Sequence, residues 1–183
     1  MKKRLNQLFY VRYAERRLDN GNADTFARDA DIHQLVRKKI FSMMTKEKSC
    51  GIVLMNCGGS EPKFLLLHYP QGHFDFPKGH VEVGENEIET ASRELAEETG
   101  ISDVVFCNGF REKVEYFFKH EGKLIQKEVY YFLAKTETSD VKLSHEHQGS
   151  GWFTYSEAHK KITFDQSRKV LEKAGKYLKI NNN

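Results

Sequence analysis

The chain has 183 residues, of which 39% are hydrophobic, 12% aromatic and 30% charged. This length suffices for one domain with a sizeable core, and the aromatic content argues against a disordered chain. No apolar run approaches the ~18 residues that a membrane-spanning helix needs, so we expect no membrane partner. The three cysteines form no Cys-x-x-Cys pair, which favours a reducing, cytoplasmic location over a disulfide scaffold.

Residues 1–46 differ in charge from the rest of the chain. They carry 11 lysines and arginines against 5 aspartates and glutamates, whereas the remaining 137 residues carry 18 against 21. We therefore divide the chain into a basic N-terminal extension, 1–46, and a main domain, 47–183. The sequence sets no oligomeric state.

The extension has the hydrophobic spacing of helices. Its apolar residues at three- and four-residue intervals are Leu5, Leu8, Phe9, Leu35, Val36, Ile40, Met43 and Met44. A helical segment that packs on the domain or on a neighbouring subunit is favoured over a basic arm for nucleic acid or acidic lipid. The reason is that Asp24, Asp29 and Asp31 interrupt the basic stripe.

The first half of the main domain predicts a hairpin followed by a helix. Two short apolar runs, 51–55 and 64–67, flank a segment rich in glycine and are typical of buried strands. A helix is predicted over 86–99 from the apolar spacing of Ile88, Ala91 and Leu95. Asn86 and Glu89 form a capping-box pattern at its start, and Gly100 supplies the stop.

The second half predicts a longer hairpin and a second helix. The β-rich stretches 114–118 and 125–133 are joined by a link, 120–123, of hairpin length. A further strand is predicted over 151–154 and a helix over 164–178. Strands alternating with helices indicate a mixed α/β fold in which the first helix covers a sheet.

The chemically informative segment lies between residues 79 and 101. Glu94, Glu97 and Glu98 occupy positions i, i+3 and i+4 of the predicted helix, so their carboxylates share one face. Three like charges repel each other unless a cation neutralises them, and carboxylate oxygens favour magnesium or manganese. An ordinary acidic surface helix is disfavoured because nine positions match a fixed pattern across these 23 residues.

The residues around this helix offer supporting roles. Arg93 is expected to pair with Glu85 and so to hold the preceding loop in place. Gly79, which lacks a Cβ, lets the backbone come close to a metal. Lys78 is expected to help neutralise a phosphate, and His73 and His80 flank the same loop as candidate donors to phosphoryl oxygens.

The nine positions resemble the Nudix box: Gly79, then Glu85, then the run that begins with Arg93-Glu94 and ends with Gly100-Ile101. The resemblance implies an α/β/α sandwich with a mixed β-sheet. It also implies magnesium-dependent hydrolysis of nucleoside diphosphates linked to another moiety, with manganese as a possible substitute. The implied metal ligands are Glu94, Glu97, Glu98 and the carbonyl of Gly79.

Two further segments, 76–82 and 143–148, resemble the asymmetric diadenosine tetraphosphate hydrolases of the animal and archaeal type. This narrower resemblance covers about residues 50–178 and implies cleavage of the dinucleotide to ATP and AMP. It assigns Glu146 as a metal ligand or general base and Tyr116 as a platform for adenine. One position departs from the pattern: Ser150 stands where an aromatic residue is often found.

Several alternatives stay open at the level of sequence. The carboxylate that accepts the proton of the attacking water is Glu98 or Glu146. His145 and His147 lack the third ligand of a zinc site, so phosphate contact or polar filling is favoured for them. Rival substrates are RNA 5′-triphosphate ends, other nucleoside diphosphate derivatives and, more weakly, inositol pyrophosphates. A non-catalytic nucleotide sensor is the alternative of another class.

Overall fold

The computed structural model describes residues 45–180. Residues 1–44, and with them almost all of the predicted helical extension, lie outside the described part of the chain. The first strand, β1, begins at Thr45, two residues before the boundary that the sequence predicts. No helix among the described residues is long and apolar enough to span a membrane.

The core of the fold is a seven-stranded sheet. Its strands are β1 (Thr45–Asn56), β2 (Lys63–His68), β3 (Phe74–Asp75), β4 (Lys78–His80), β5 (Val105–His120), β6 (Lys123–Thr136) and β7 (Gly149–Thr154). The main path runs β3-β2-β1-β6-β5, with β4 paired to β1 and β7 to β2. Because β1 and β6 are parallel and the other pairs are antiparallel, the sheet is mixed, as predicted.

Within residues 45–180, three helices cover the two faces of the sheet: α1 (Glu87–Thr99), α2 (Tyr155–Lys161) and α3 (Asp165–Tyr177). Ala91 and Leu95 of α1 pack with Ile52, Leu54 and other residues on one face. Side chains of α2 and α3 pack on the opposite face, in a second apolar cluster. The described part of the chain is therefore an α/β/α sandwich, which confirms the predicted fold class.

The predicted ends of helix α1 and the predicted hairpin link are confirmed, whereas β5 begins at Val105 and so extends well before the predicted 114–118. The Asn86 side chain accepts from the backbone N–H groups of Ile88 and Glu89, and Gly100 ends the helix in the left-handed region. The hairpin turn between β5 and β6 uses Glu121 and Gly122, both with positive φ. Ile88 differs from expectation: it is 46% exposed, because the buried face of α1 begins at Thr90.

Helix α2 and the short strands β3 and β4 are absent from the sequence prediction. Helix α2 is a short element closed by a capping box between Thr154 and Glu157. Strand β4 forms within a segment that the sequence predicts as a loop, because the backbone of Lys78, Gly79 and His80 pairs with β1. This pairing ties the segment before α1 to the centre of the sheet.

Candidate active site

A cleft of about 540 Å³ opens between α1, strand β4 and two loops, 69–71 and 146–147. Eight residues predicted as functional line it: Lys78, Gly79, His80, Arg93, Glu94, Glu97, Glu98 and Glu146. Three other predicted residues, His73, Glu85 and Tyr116, do not line it. The cleft therefore gathers the candidate metal ligands from a helix, a strand and a distant loop.

The helix α1 presents its three glutamates at different depths. The side chain of Glu97 is 61% exposed, that of Glu94 is 15% exposed and that of Glu98 is 7% exposed. Burial raises the pKa of Glu94, although the guanidinium of Arg93 opposes the shift. The acidic face is thus graded from solvent into the protein, which a simple solvated helix face would not show.

Gly79 is the residue that lets the helix approach the sheet. A Cβ atom at this position would lie 1.9 Å from Cδ of Glu94 and 2.0 Å from both of its carboxylate oxygens. Any side chain there would displace the carboxylate, so the space beside Gly79 is filled by Glu94 itself. The need for glycine at this point of the pattern is therefore steric.

Arg93 organises the acidic residues around it. Its Nε and Nη2 donate to the two carboxylate oxygens of Glu85 at 2.6 and 3.0 Å, the pair expected from the sequence. Nη1 donates to Glu94 at 2.9 Å and to Glu97 at 3.0 Å, and Nη2 also reaches the carbonyl of His80. The bond with Arg93 lowers the pKa of Glu85 to about 2. Arg93 thus joins the loop, β4 and α1 in one network.

Glu98 lies at the buried end of the acidic face. Its Oε2 accepts from the backbone N–H of Lys78 at 3.0 Å, and its Oε1 lies 3.1 Å from Nε2 of His147. Burial raises the pKa of Glu98 to about 8, against the opposing charge of Lys78. The other ring nitrogen of His147 lies 3.1 Å from Oγ of Ser144. Oε2 of Glu98 is therefore fixed by a backbone hydrogen bond, whereas Nε2 of His147 lies close to Oε1 without forming a hydrogen bond.

The loop between β6 and β7 brings Glu146 to the same cleft. Backbone N–H groups of Lys142 and Ser144 donate to the carbonyls of Thr99 and Glu98 at the end of α1, at 2.8 and 3.0 Å. The exposed Glu146 makes no hydrogen bond or ion pair with any residue of the described range. Its carboxylate is therefore near the others but is not held by them.

Tyr69 is a functional candidate that sequence reasoning missed. Its ring stacks on His73 with centroids 4.5 Å apart, contacts His147 edge-on at 4.6 Å and lies 4.1 Å from Nζ of Lys78. Its hydroxyl donates to the carbonyl of Phe76 at 2.9 Å. Tyr69 thus connects Lys78 and His147 of the cleft wall with His73, which lies outside the cleft.

Lys127 is a second candidate that the sequence does not indicate, because a lysine within a strand is usually exposed to solvent. Its side chain is only 12% exposed, and burial lowers the pKa of its ammonium group. Its Nζ lies 2.8 Å from Nε2 of His80, which lines the cleft. Tyr116 is the Cα partner of Lys127 across the β5–β6 ladder and is half-buried against the core under α3.

The carboxylate oxygens of the cleft suit a hard divalent cation, although two of these carboxylates are bonded to Arg93 in the structure. No group of three carboxylate, imidazole or thiolate side chains between residues 45 and 180 is arranged to hold a metal ion. Glu94 and Glu97 are both bonded to Arg93. The cleft is nevertheless lined by five glutamates and by no cysteine, which is the ligand chemistry of magnesium or manganese rather than of a soft metal.

The chain is similar to known proteins over this same region. The family model for the NUDIX domain matches residues 45–174. The asymmetrical bis(5′-nucleosyl)-tetraphosphatase of Rattus norvegicus is 34% identical, and the match covers 72% of the chain and 95% of that relative. The Caenorhabditis elegans protein of the same name is 35% identical over 72% of the chain and 96% of its own length.

Solved structures agree with this match. A C. elegans Ap4A hydrolase binary complex superposes with a TM-score of 0.65 at 35% identity, covering 73% of the chain and 98% of that structure. An E. coli dihydroneopterin triphosphate pyrophosphohydrolase, 17% identical with a TM-score of 0.59, covers 70% of the chain and 96% of its own and supports the fold alone. The chain therefore belongs to the Nudix family and is a Nudix hydrolase.

Proposed function

We propose that this Nudix hydrolase cleaves diadenosine tetraphosphate asymmetrically to ATP and AMP by attack of water on phosphorus. The observation that carries the proposal is the similarity to the asymmetrical tetraphosphatases, which extends over about 95% of their length. The cleft supports it, because the glutamates and Lys78 line it and the half-buried Lys127 lies beside His80 at its edge, within reach of a polyphosphate chain.

Nudix hydrolases generally use divalent metals, and we propose Mg²⁺ for this chain, with Mn²⁺ as a substitute. Glu94, Glu97, Glu98 and the carbonyl of Gly79 are the proposed ligands. A bound cation would withdraw charge from the phosphate oxygens and lower the pKa of water. Arg93 then serves to orient Glu94 and Glu97, since it holds both side chains and the preceding loop.

Glu98 and Glu146 are the two candidates for the carboxylate that accepts the proton of water, and their surroundings differ. Glu98 is buried, and its Oε2 accepts a hydrogen bond from the backbone of Lys78, which suits a ligand of defined orientation. Glu146 is exposed and without a bonded partner in the described range, so its carboxylate is free to bond a water molecule. We therefore propose Glu98 as a ligand and Glu146 as the proton acceptor.

The remaining predicted residues belong to substrate binding. We propose that the phosphates extend from the glutamates past His80 to Lys127, and that an adenine stacks on Tyr116. Tyr116 and Lys127 are direct partners across two strands, so the base and the phosphate chain would be neighbours. Phe164, which is 48% exposed and lies 5.0 Å from the ring of His73, is a second aromatic surface on that side of the sheet.

The test is product analysis with the full chain, diadenosine tetraphosphate and Mg²⁺ in oxygen-18 water. The proposal expects ATP and AMP with the label in AMP. Cleavage only of triphosphorylated RNA, or only of another nucleoside diphosphate derivative, would keep the Nudix chemistry and overturn the substrate. Absence of turnover on all of them would favour a nucleotide sensor. Turnover that vanishes in Glu97→Gln or Glu98→Gln would exclude a contaminating hydrolase.

A further inference from the structure

A carboxylate, an ammonium group and an imidazole meet beside the cleft, at the beginning of β1. Oε2 of Glu47 lies 3.2 Å from Nζ of Lys127 and 3.1 Å from Nε2 of His80. Nζ of Lys127 lies 2.8 Å from the same nitrogen of His80. The arrangement follows from strand pairing, because Glu47 and Lys127 are direct partners between β1 and β6, and β4 places His80 opposite Ser49.

The exposure of the three groups shows which way the cluster opens. The side chain of Lys127 is 12% exposed and that of Glu47 is 26% exposed, whereas that of His80 is 62% exposed and lines the cleft. Glu47 is the only carboxylate within the described range that bonds Lys127. A polyanion that enters beside His80 therefore meets an ammonium group whose charge a neighbouring carboxylate already offsets.

In this geometry, Glu47 and an incoming phosphate would compete for the ammonium group of Lys127. The two negative charges would also repel each other, and because the site is partly buried, salt and water screen this repulsion only weakly. We propose that Glu47 limits the affinity of the cleft for polyphosphate by neutralising Lys127, so that it acts as a specificity-determining residue. The proposal rests on the proposed function, in which the phosphate chain passes His80 and Lys127.

A purely structural role for Glu47 makes the opposite prediction. If its carboxylate serves only to hold Lys127 in place, Glu47→Gln loosens the lysine and weakens phosphate binding. If it offsets the charge of Lys127, the same change keeps a hydrogen-bond acceptor of equal size and removes one negative charge. The affinity for phosphate then increases, and the increase grows with the charge of the ligand.

The experiment compares the full chain with Glu47→Gln. We expect the KM for diadenosine tetraphosphate to fall about fivefold with kcat nearly unchanged. The inhibition constant of inorganic tripolyphosphate should fall by a similar factor, while that of adenosine stays the same. The gain should disappear in the double variant Glu47→Gln/Lys127→Gln, because the neutralised cation is then missing.

Glu112→Gln is the matched control. Glu112 is also paired with a lysine, Lys173, and its side chain is 25% exposed, but it does not line the cleft. Its replacement should leave both constants unchanged. An unchanged or higher KM in Glu47→Gln would overturn the inference. If the wild type does not hydrolyse diadenosine tetraphosphate, the proposed function fails instead, and calorimetric titration with tripolyphosphate still decides whether Glu47→Gln binds phosphate more tightly.

Discussion

The helix α1 and the loop before β7 border one cleft, but they hold their glutamates in different ways. On α1, Arg93 bonds two carboxylates, and a third, that of Glu98, is buried and accepts a backbone hydrogen bond at one oxygen. On the loop, Glu146 is exposed and has no bonded partner among the described residues. One side of the cleft is therefore preorganised, and the other side keeps a carboxylate that is free to move.

This difference suits cation binding by the glutamates of α1 and proton transfer by Glu146 of the loop. Groups that bind a cation benefit from fixed positions, because preorganisation avoids the cost of ordering them when the cation arrives. A group that takes a proton from water and later releases it benefits from contact with solvent. The comparison can be tested by substitutions on each side of the cleft.

The largest effect is expected from the helix side. Glu97→Gln removes a carboxylate from the acidic face while preserving the size of the side chain. If Glu97 binds the cation, kcat should fall by about 10³ or more at saturating substrate. Glu89→Gln on the same helix is the control, because a glutamine still completes the capping box. Equal activity in both variants would show that the acidic face has no catalytic role.

Glu146→Gln tests the loop side. As the proton acceptor, Glu146 should contribute about 10² to 10⁴ in kcat, and excess Mg²⁺ should not restore the loss. As a metal ligand it should raise the Mg²⁺ concentration required, and excess Mg²⁺ should then recover much of the rate. A magnesium titration of the variant therefore separates the two roles, and recovery at high Mg²⁺ would reverse our assignment.

Arg93→Lys tests whether the helix side is preorganised by its own neighbours. Lysine keeps the charge but cannot reproduce the simultaneous bonds to Glu85, Glu94 and Glu97. We expect a loss of about 10- to 100-fold in kcat or in metal affinity, the range found for residues that orient metal ligands. Arg111→Lys, at an exposed position outside the cleft, should lose less than twofold by this measure. A loss of similar size in both variants would contradict the role of Arg93.

His147 connects the two sides, because it belongs to the loop and lies 3.1 Å from Glu98 on the helix. His147→Ala removes this neighbour and the ring packed against Tyr69. We expect kcat to fall about tenfold through a looser Glu98, with a higher Mg²⁺ requirement. His145→Ala, at the exposed position two residues earlier, should have no such effect. If both variants behave alike, the contact with Glu98 is incidental.

The sequence predicts the helix side better than the loop side for a physical reason. The cap at Asn86, the stop at Gly100 and the pair Arg93–Glu85 depend on residues a few positions apart, so local pattern and spacing contain them. The positions of Tyr69 and Lys127 depend on pairing between strands far apart in the chain. The sequence around Tyr69 does not indicate that its ring will stack on His73. The sequence around Lys127 does not indicate that its side chain will lie half-buried beside His80.

The short strand β4 is a case between these two. Its three residues, Lys78, Gly79 and His80, have no alternating apolar pattern, so the sequence predicts a loop. They become a strand because β1 supplies hydrogen-bonding partners and because Gly51 leaves room: a Cβ there would lie 2.7 Å from Cβ of Lys78. A motif can thus identify the chemistry of a segment while the backbone conformation is decided by a distant glycine.

The smallest effect concerns the far end of α1, where Glu87 fixes the helix to the sheet rather than to the cleft. Glu87 bonds Arg111 through both of its oxygens and lies 2.8 Å from Nζ of Lys48. These cations, Arg111 foremost, lower its pKa to about 2. Because the folded pKa lies below the unfolded value, the ionised form stabilises the fold above about pH 4.5, and this contribution is lost as the pH falls toward 2.

Glu87→Gln should therefore lower the free energy of unfolding by about 1 kcal/mol at pH 7, and the difference from the wild type should shrink in urea titrations between pH 4.5 and 2.5. A difference that stays constant over this range would show that Glu87 contributes through packing and not through its charge. Activity at pH 7 should remain within twofold, since the cleft is built from the other end of the helix.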